Sequence, residues 1–119
     1  MAVRDLPPPP TTSEEVVAGG GQNLKIKHMF YTYVLLCSNK ESSESEFYIG
    51  STTDLRNRVI EHKSGEIKTT RKFDKVSLVY YECCVNKTDA RKRELQLKTG
   101  FGRGYLRRRL ESYLKDARM

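Results

Sequence analysis

The 119-residue sequence predicts an α/β domain: a small three-stranded, mainly antiparallel sheet flanked by two to four helices, behind a flexible leader. Three observations carry that expectation. Three runs of β-branched, aromatic and aliphatic residues stand at 30–37, 47–50 and 76–85. Helix-capping residues, Asp54 and Asn86, open polar segments after the second and third runs. The texture of the chain also changes abruptly at Met29.

Residues 1–28 contain Pro7 to Pro10, Thr11, Thr12, Ser13 and Gly19 to Gly21, with little aromatic or branched aliphatic support, and read as the leader. The domain is expected over 29–119. Phe30 to Cys37 form an eight-residue run that suits a strand buried on both faces. The polar, acidic stretch Ser38 to Glu46 is a loop, and Phe47, Tyr48, Ile49 and Gly50 make a second strand paired as a hairpin. Asp54 caps a helix over about 55–64, because its carboxylate can accept from unpaired first-turn amides, and Ser64-Gly65 supplies a left-handed stop.

In the third run, Val76 to Val85, both alternating sets are largely apolar, which predicts the middle strand of the sheet. Asn86 to Asp89 cap a helix over about 88–98. Gly100, Gly102 and Gly104 are expected to interrupt it before a last helix whose stripe is Leu106, Leu110, Tyr113, Leu114 and Ala117.

Composition narrows the function classes. The longest apolar run, near Met29 to Cys37, falls well short of the roughly 18 residues that span a bilayer. No secretory pattern opens the chain, so a cytoplasmic protein without membrane partners is expected. Cys37, Cys83 and Cys84 read as reduced thiols, and their spacing does not suit a zinc site. The net charge of +7 lies entirely in residues 87–119, where 11 Lys and Arg face four Asp and Glu. Such a concentration is a footprint for a polyanion.

Two predicted helices place polar residues where core residues belong. Leu55, Arg58, Val59 and His62 occupy i, i+3, i+4 and i+7, and Glu94 shares a face with Ala90 and Leu97. The bland account is an arginine snorkelling past Leu55, a histidine bonded to a carbonyl, and Glu94 paired with Arg91 or Lys98. The sharper account adds Tyr33, Tyr48 and Tyr80 or Tyr81, converging with them on one sheet face as a phosphodiester site. There the carboxylate would hold a divalent cation, the guanidinium would fork onto the scissile phosphate, and water beside a tyrosine would lose its proton.

Tyr48-Ile49-Gly50, the ten-residue step from Tyr48 to Arg58 and the further four to His62 resemble the GIY-YIG nucleases. The first half of the motif is degenerate, with Tyr31-Thr32-Tyr33 where Gly-Ile-Tyr would stand. Leu78 to Glu82 and Ala90 to Lys98 resemble the small stand-alone bacterial members in particular. The resemblance spans about residues 29–110. It implies a metal-dependent endonuclease acting on DNA phosphodiesters, using Mg²⁺ or Mn²⁺, possible structure selectivity and a tie to DNA repair or recombination. It implies Tyr33 as general base or water-positioning hydroxyl, Tyr48 beside it, Arg58 on the phosphate, His62 in support and Glu94 on the metal.

Which tyrosine takes the proton is open at this stage. A free tyrosine has a pKa of about 10 and serves as a base only where a neighbouring cation lowers it; such help is expected here. Arg71, Lys72, Arg91, Lys92, Arg93, Lys98, Arg107, Arg108 and Arg109 are the expected backbone contacts. Tyr31, in place of the motif glycine, is expected to alter access to the site, and Glu41, Glu44 and Glu46 to repel phosphate. Members that cut defined sites carry an added domain, so a protein partner that supplies specificity fits this short chain. The sequence leaves DNA against RNA open, and two other classes stand beside the nuclease: a nucleic-acid-binding module without turnover, and a domain whose basic helix docks on an acidic protein.

Overall fold

The computed structural model of the chain describes residues 14–17, 23–26 and 28–117. Within the segment read as a leader, β1 (Glu14–Val17) and β2 (Asn23–Ile26) pair antiparallel, from Glu14 opposite Ile26 to Val17 opposite Asn23. The rest of that segment, with its prolines and glycines, lies outside the described residues.

The main sheet is built from β3 (Phe30–Ser38), β4 (Ser45–Thr52) and β5 (Lys75–Cys84), all antiparallel, in the order β4-β3-β5. The middle strand is therefore β3, and the expectation that the third run would lie there is corrected. The hairpin loop places β4 on one side of β3, and the crossover through α1 (Leu55–Lys63) returns β5 to the other side. Burial follows: Tyr31 to Leu35 are buried without a break, whereas β5 is buried only at Val76, Ser77 and Leu78 and half-exposed beyond. Two apolar alternating sets cannot distinguish these cases, because an edge strand lying between helices on both faces also carries them. The pairing steps from Val34 opposite Tyr80 to Leu35 opposite Leu78, so Val79 is the extra residue of a bulge.

Side chains alternate between the two sheet faces. On one face Tyr31, Tyr33, Leu35 and Cys37 pack with Leu55 and Val59 of α1 and with Val76 and Leu78. On the other, Val34 and Ile49 pack with Leu97 of α2 (Lys87–Leu97) and Leu106 of α3 (Gly100–Arg109). Thr32 fastens the second layer by donating its hydroxyl to the Ala90 carbonyl, 2.9 Å away in the core.

Capping sets the helix limits. Asp54 accepts from the Asn57 amide and Asn86 from the Asp89 amide, at 3.1 and 3.0 Å, and Gly65 (φ +81°) makes the left-handed turn after α1. The glycines expected to interrupt a helix instead lie inside one: all three are within α3, which starts at its Thr99 cap. Gly102 is there because a Cβ would stand 2.3 Å from the Gln96 carbonyl oxygen and 2.4 Å from the Leu97 Cα. The break expected near residue 98 lies at Lys98 and Thr99, just before these glycines, and a second comes at Leu110; the short α4 (Glu111–Ala117) buries no side chain, so the expected stripe is only partly used.

Candidate active site

Tyr33 projects from the middle strand toward α1 and is 1% exposed. Its ring lies over Gly50 of β4, directly opposite in register, where a Cβ would come within 2.6 Å of the Tyr33 hydroxyl. Only glycine fits beneath that ring. The Tyr33 hydroxyl is 2.9 Å from Nε2 of His62, whose Nδ1 is 2.7 Å from the Thr70 hydroxyl, and all three residues are buried. Burial, reinforced by the Arg58 charge, pushes the His62 pKa down to about 4, so the imidazole is neutral near pH 7. A neutral ring carries one proton, so one of these two bonds is donated by His62 and the other is donated to it.

Tyr48, half-buried, completes the aromatic group, with ring centroids 6.3 Å from Tyr33 and 4.9 Å from His62. Tyr33's pKa lies well above the ordinary tyrosine value. Burial is the main cause; the neighbouring Tyr48 and Glu94 add to it, and Arg58 opposes it. The expectation that cations would lower the base tyrosine's pKa is thus corrected for Tyr33, because burial outweighs the arginine. Arg58 sits at the rim, its Nε 3.2 Å from Glu61 Oε1.

The expected site residues do not all share one sheet face. Tyr33, Tyr48, Arg58 and His62 lie on the α1 side, whereas Glu94 on α2 reaches the opposite face and accepts from the Ser51 hydroxyl at 2.7 Å. Ser51 follows Gly50, and consecutive strand residues point to opposite faces. Because β4 is an edge strand, groups from both faces border one open edge. Tyr31 is buried against Tyr81 in the core.

Glu94 is 3% exposed, yet it is kept ionised. Burial pushes its carboxyl pKa up, but hydrogen bonds from Lys98, Ser51 and Arg91 outweigh burial and hold it below the ordinary glutamate value. Arg91 and Lys98 reach Oε2 at 2.7 and 2.6 Å, so the ion pairs of the bland account are present too. Among the described residues no three His, Cys, Asp or Glu side chains cluster to form a metal cage. A lone buried carboxylate with a hydroxyl beside it suits Mg²⁺ or Mn²⁺, hard cations that keep much of their water and take phosphate oxygens for the rest. Arg91 and Lys98 have 59% and 44% of their side chains exposed, so water can solvate their charges if a cation takes Oε2.

The expected backbone contacts separate into groups. Arg107, Arg108 and Arg109 form the exposed last turn of α3. Arg71 lines an open cavity of about 270 Å³ together with His62, Lys63 and Lys75, and Lys72 lies over the Phe73 ring. Lys92 and Arg93 line another cavity, of about 320 Å³, between α2 and the sheet. Arg93 is committed inside the fold: it forks onto Glu82 at 2.8 to 3.1 Å and stacks over Tyr105, while Tyr80 donates to the same carboxylate. Glu41, Glu44 and Glu46 are exposed on the loop side of β4.

Thr70 and Ser51 were missed by sequence reasoning. Each is a small hydroxyl in a polar stretch, with no periodic or spacing signal to mark it.

A model of the family described as the GIY-YIG catalytic domain matches residues 29–108. A UPF0213 protein of Bacillus pumilus is 34% identical over 94 residues, covering 78% of this chain and 86% of the relative. A UPF0213 protein of Haloquadratum walsbyi is 39% identical over 70 residues, 58% of this chain and 73% of the relative. One of Halobacterium salinarum is 37% identical over 71 residues, 59% and 86% of the two chains. No solved structure matches significantly. Among the described residues no helix is long and apolar enough to cross a membrane.

Proposed function

The chain belongs to the GIY-YIG catalytic domain family, a nuclease family, and from that premise we propose that it is a divalent-metal-dependent endonuclease hydrolysing DNA phosphodiester bonds. The observation that carries the reading is the pairing of a buried hydrogen-bonded chain, Tyr33–His62–Thr70, with Tyr48 packed against its rings, and an ionised buried carboxylate, Glu94, across Gly50 and Ser51.

Tyr48, half-buried beside the buried Tyr33 and His62, faces the attacking water. The proton leaving that water enters at Tyr48 and passes through the Tyr33 hydroxyl to Nε2 of His62, so no free phenolate is required. Thr70 holds the imidazole at Nδ1 in the tautomer that leaves Nε2 able to accept. Arg58 forks onto the scissile phosphate where negative charge accumulates. Because the Arg58 charge is one of the two causes depressing the His62 pKa, a phosphate against Arg58 offsets it and makes His62 a better acceptor on substrate arrival. Glu94 holds the cation, with Ser51 fixing its other oxygen. When bound, the cation supplies charge neutralisation at the phosphate and acidifies its water. Arg107 to Arg109, Arg71 and Lys72 contact the nucleic-acid backbone, and branched or flapped DNA of the kind met in repair is the proposed substrate shape.

The test is cleavage of labelled linear, flapped and branched DNAs and of RNA, with Mg²⁺ or Mn²⁺ and with EDTA, by the wild type and Glu94→Ala. Metal-dependent products are expected that vanish in the variant, while its DNA affinity stays within a few-fold. One observation favours a second reading, a binding module without turnover: both Glu94 oxygens already have protein partners. Salt-sensitive binding without products across the whole panel would select it.

A further inference from the structure

Among the described residues, four large apolar side chains are 41 to 67% exposed, and Phe101 is 93% exposed. Folding gains nothing from its ring. The turn that carries it is nevertheless braced at Thr99, Gly102 and Arg103. Thr99 donates its hydroxyl to the Gln96 carbonyl at 2.6 Å and accepts from the Gly102 amide at 3.1 Å. Arg103 donates to the Lys98 carbonyl at 2.8 Å, and Gly102 is pressed against the backbone of Gln96 and Leu97. At Gly100, before the ring, a side chain would meet nothing within 4 Å. A rigid mount thus holds a stiff aromatic ring out into open space, immediately after the helix that carries Glu94.

The charge around the ring decides what it meets. α3 contains Arg103, Arg107, Arg108 and Arg109 and no acidic residue, and Lys98 precedes it. A single ring on a helix whose charged residues are all basic is too small an apolar patch to hold a protein partner, but it matches an unpaired nucleobase whose phosphates need the cations. We propose that Phe101 is a stacking platform for an unpaired base, so that the chain selects nucleic acid with single-stranded character beside the scissile bond over continuous duplex. This rests on the nuclease reading above.

The test is fluorescence anisotropy in EDTA, which reads binding without cleavage. Wild type, Phe101→Ala and Phe101→Trp are compared on a blunt duplex, the same duplex with a single-stranded tail, and a single strand. Phe101→Ala should weaken the tailed and single-stranded ligands about tenfold, the scale of one lost base–aromatic stack. Blunt-duplex affinity should stay within about twofold, and Phe101→Trp should restore the rest. A 2-aminopurine in the tail should be quenched by wild type and not by the alanine variant. Equal weakening on all three ligands, or none on any, overturns the inference while leaving the nuclease reading intact. So does a change confined to oligomeric state in gel filtration, which would assign the ring to contact between copies. Absence of nucleic-acid binding by the wild type overturns both.

Discussion

The two faces of the central sheet handle the same kind of polar group in opposite ways. Toward α1, Tyr33, His62 and Thr70 are buried as neutral groups joined by hydrogen bonds, with Arg58 kept at the rim. Toward α2, the buried Glu94 carboxylate stays charged because Arg91, Lys98 and the Ser51 hydroxyl meet it, and the half-buried Glu82 is forked by Arg93. The difference follows from which groups each helix brings. α1 packs only Leu55, Val59 and His62 inward, and an ion without a partner there would bear the full desolvation cost. α2 surrounds its inward Glu94 with basic neighbours one turn away. One face therefore holds its polar groups through hydrogen bonds and the other through ion pairs, and the alternation of adjacent residues Gly50 and Ser51 joins them.

The division can be tested from its strongest consequence downward. Arg58→Ala should lower turnover by about a hundredfold or more with binding nearly intact, since one preorganised donor to a transition state is worth roughly 3 kcal/mol; single-turnover cleavage rates measure it, and an unchanged rate removes Arg58 from the site. The neutral face should also show itself in acid. The folded pKa of His62, about 4, lies below its ordinary 6.5, so between these values the unfolded chain binds more protons than the native one. This contribution is complete above pH 6.5 and is lost as pH falls toward 4, a change of about 3 kcal/mol. Urea unfolding of wild type against His62→Gln should lose that slope in the variant; parallel pH dependences would show that His62 is not buried neutral.

Thr70→Val keeps the shape of its site but strips Nδ1 of its partner, which should cost about 1 to 3 kcal/mol of stability in the same unfolding assay. It should depress turnover more than affinity if the tautomer matters. The mildest effect belongs to the exposed cations. Replacing Arg107, Arg108 and Arg109 with glutamine should weaken DNA binding and flatten the slope of log affinity against log salt by up to about three contacts. An unaltered slope would mean that this turn of α3 faces away from the backbone.

Local features were legible from sequence. Asp54, Gly65 and Asn86 act within a few residues of themselves, and each does in the structure what its residue type implies. The step from Tyr48 through Arg58 to His62 was legible for the same reason, since one strand end and one helix carry it. Strand order was not, because it depends on which partner closes on β3 from each side. Gly102 was misread as a breaker because its role is set by the approach of α2, a contact that no local pattern encodes. The split of the site between two faces escaped for a similar reason: helical periodicity identifies Glu94 as inward-facing without saying which side of the sheet lies inward.

The hydrogen bonds of the site also differ in how far along the chain they reach. Tyr33 and His62 are 29 residues apart, whereas Ser51 and Glu94 are separated by 43. Short loops close at lower entropic cost than long ones, so the hairpin and α1 are expected to come together before α2 docks on the other face. The Tyr33–His62 half then precedes the carboxylate during folding. A nascent or partly unfolded chain would already hold basic residues, but it would lack the docked Glu94. On the roles proposed above, cleavage would be tied to completion of the fold, a safeguard against damage by an immature nuclease.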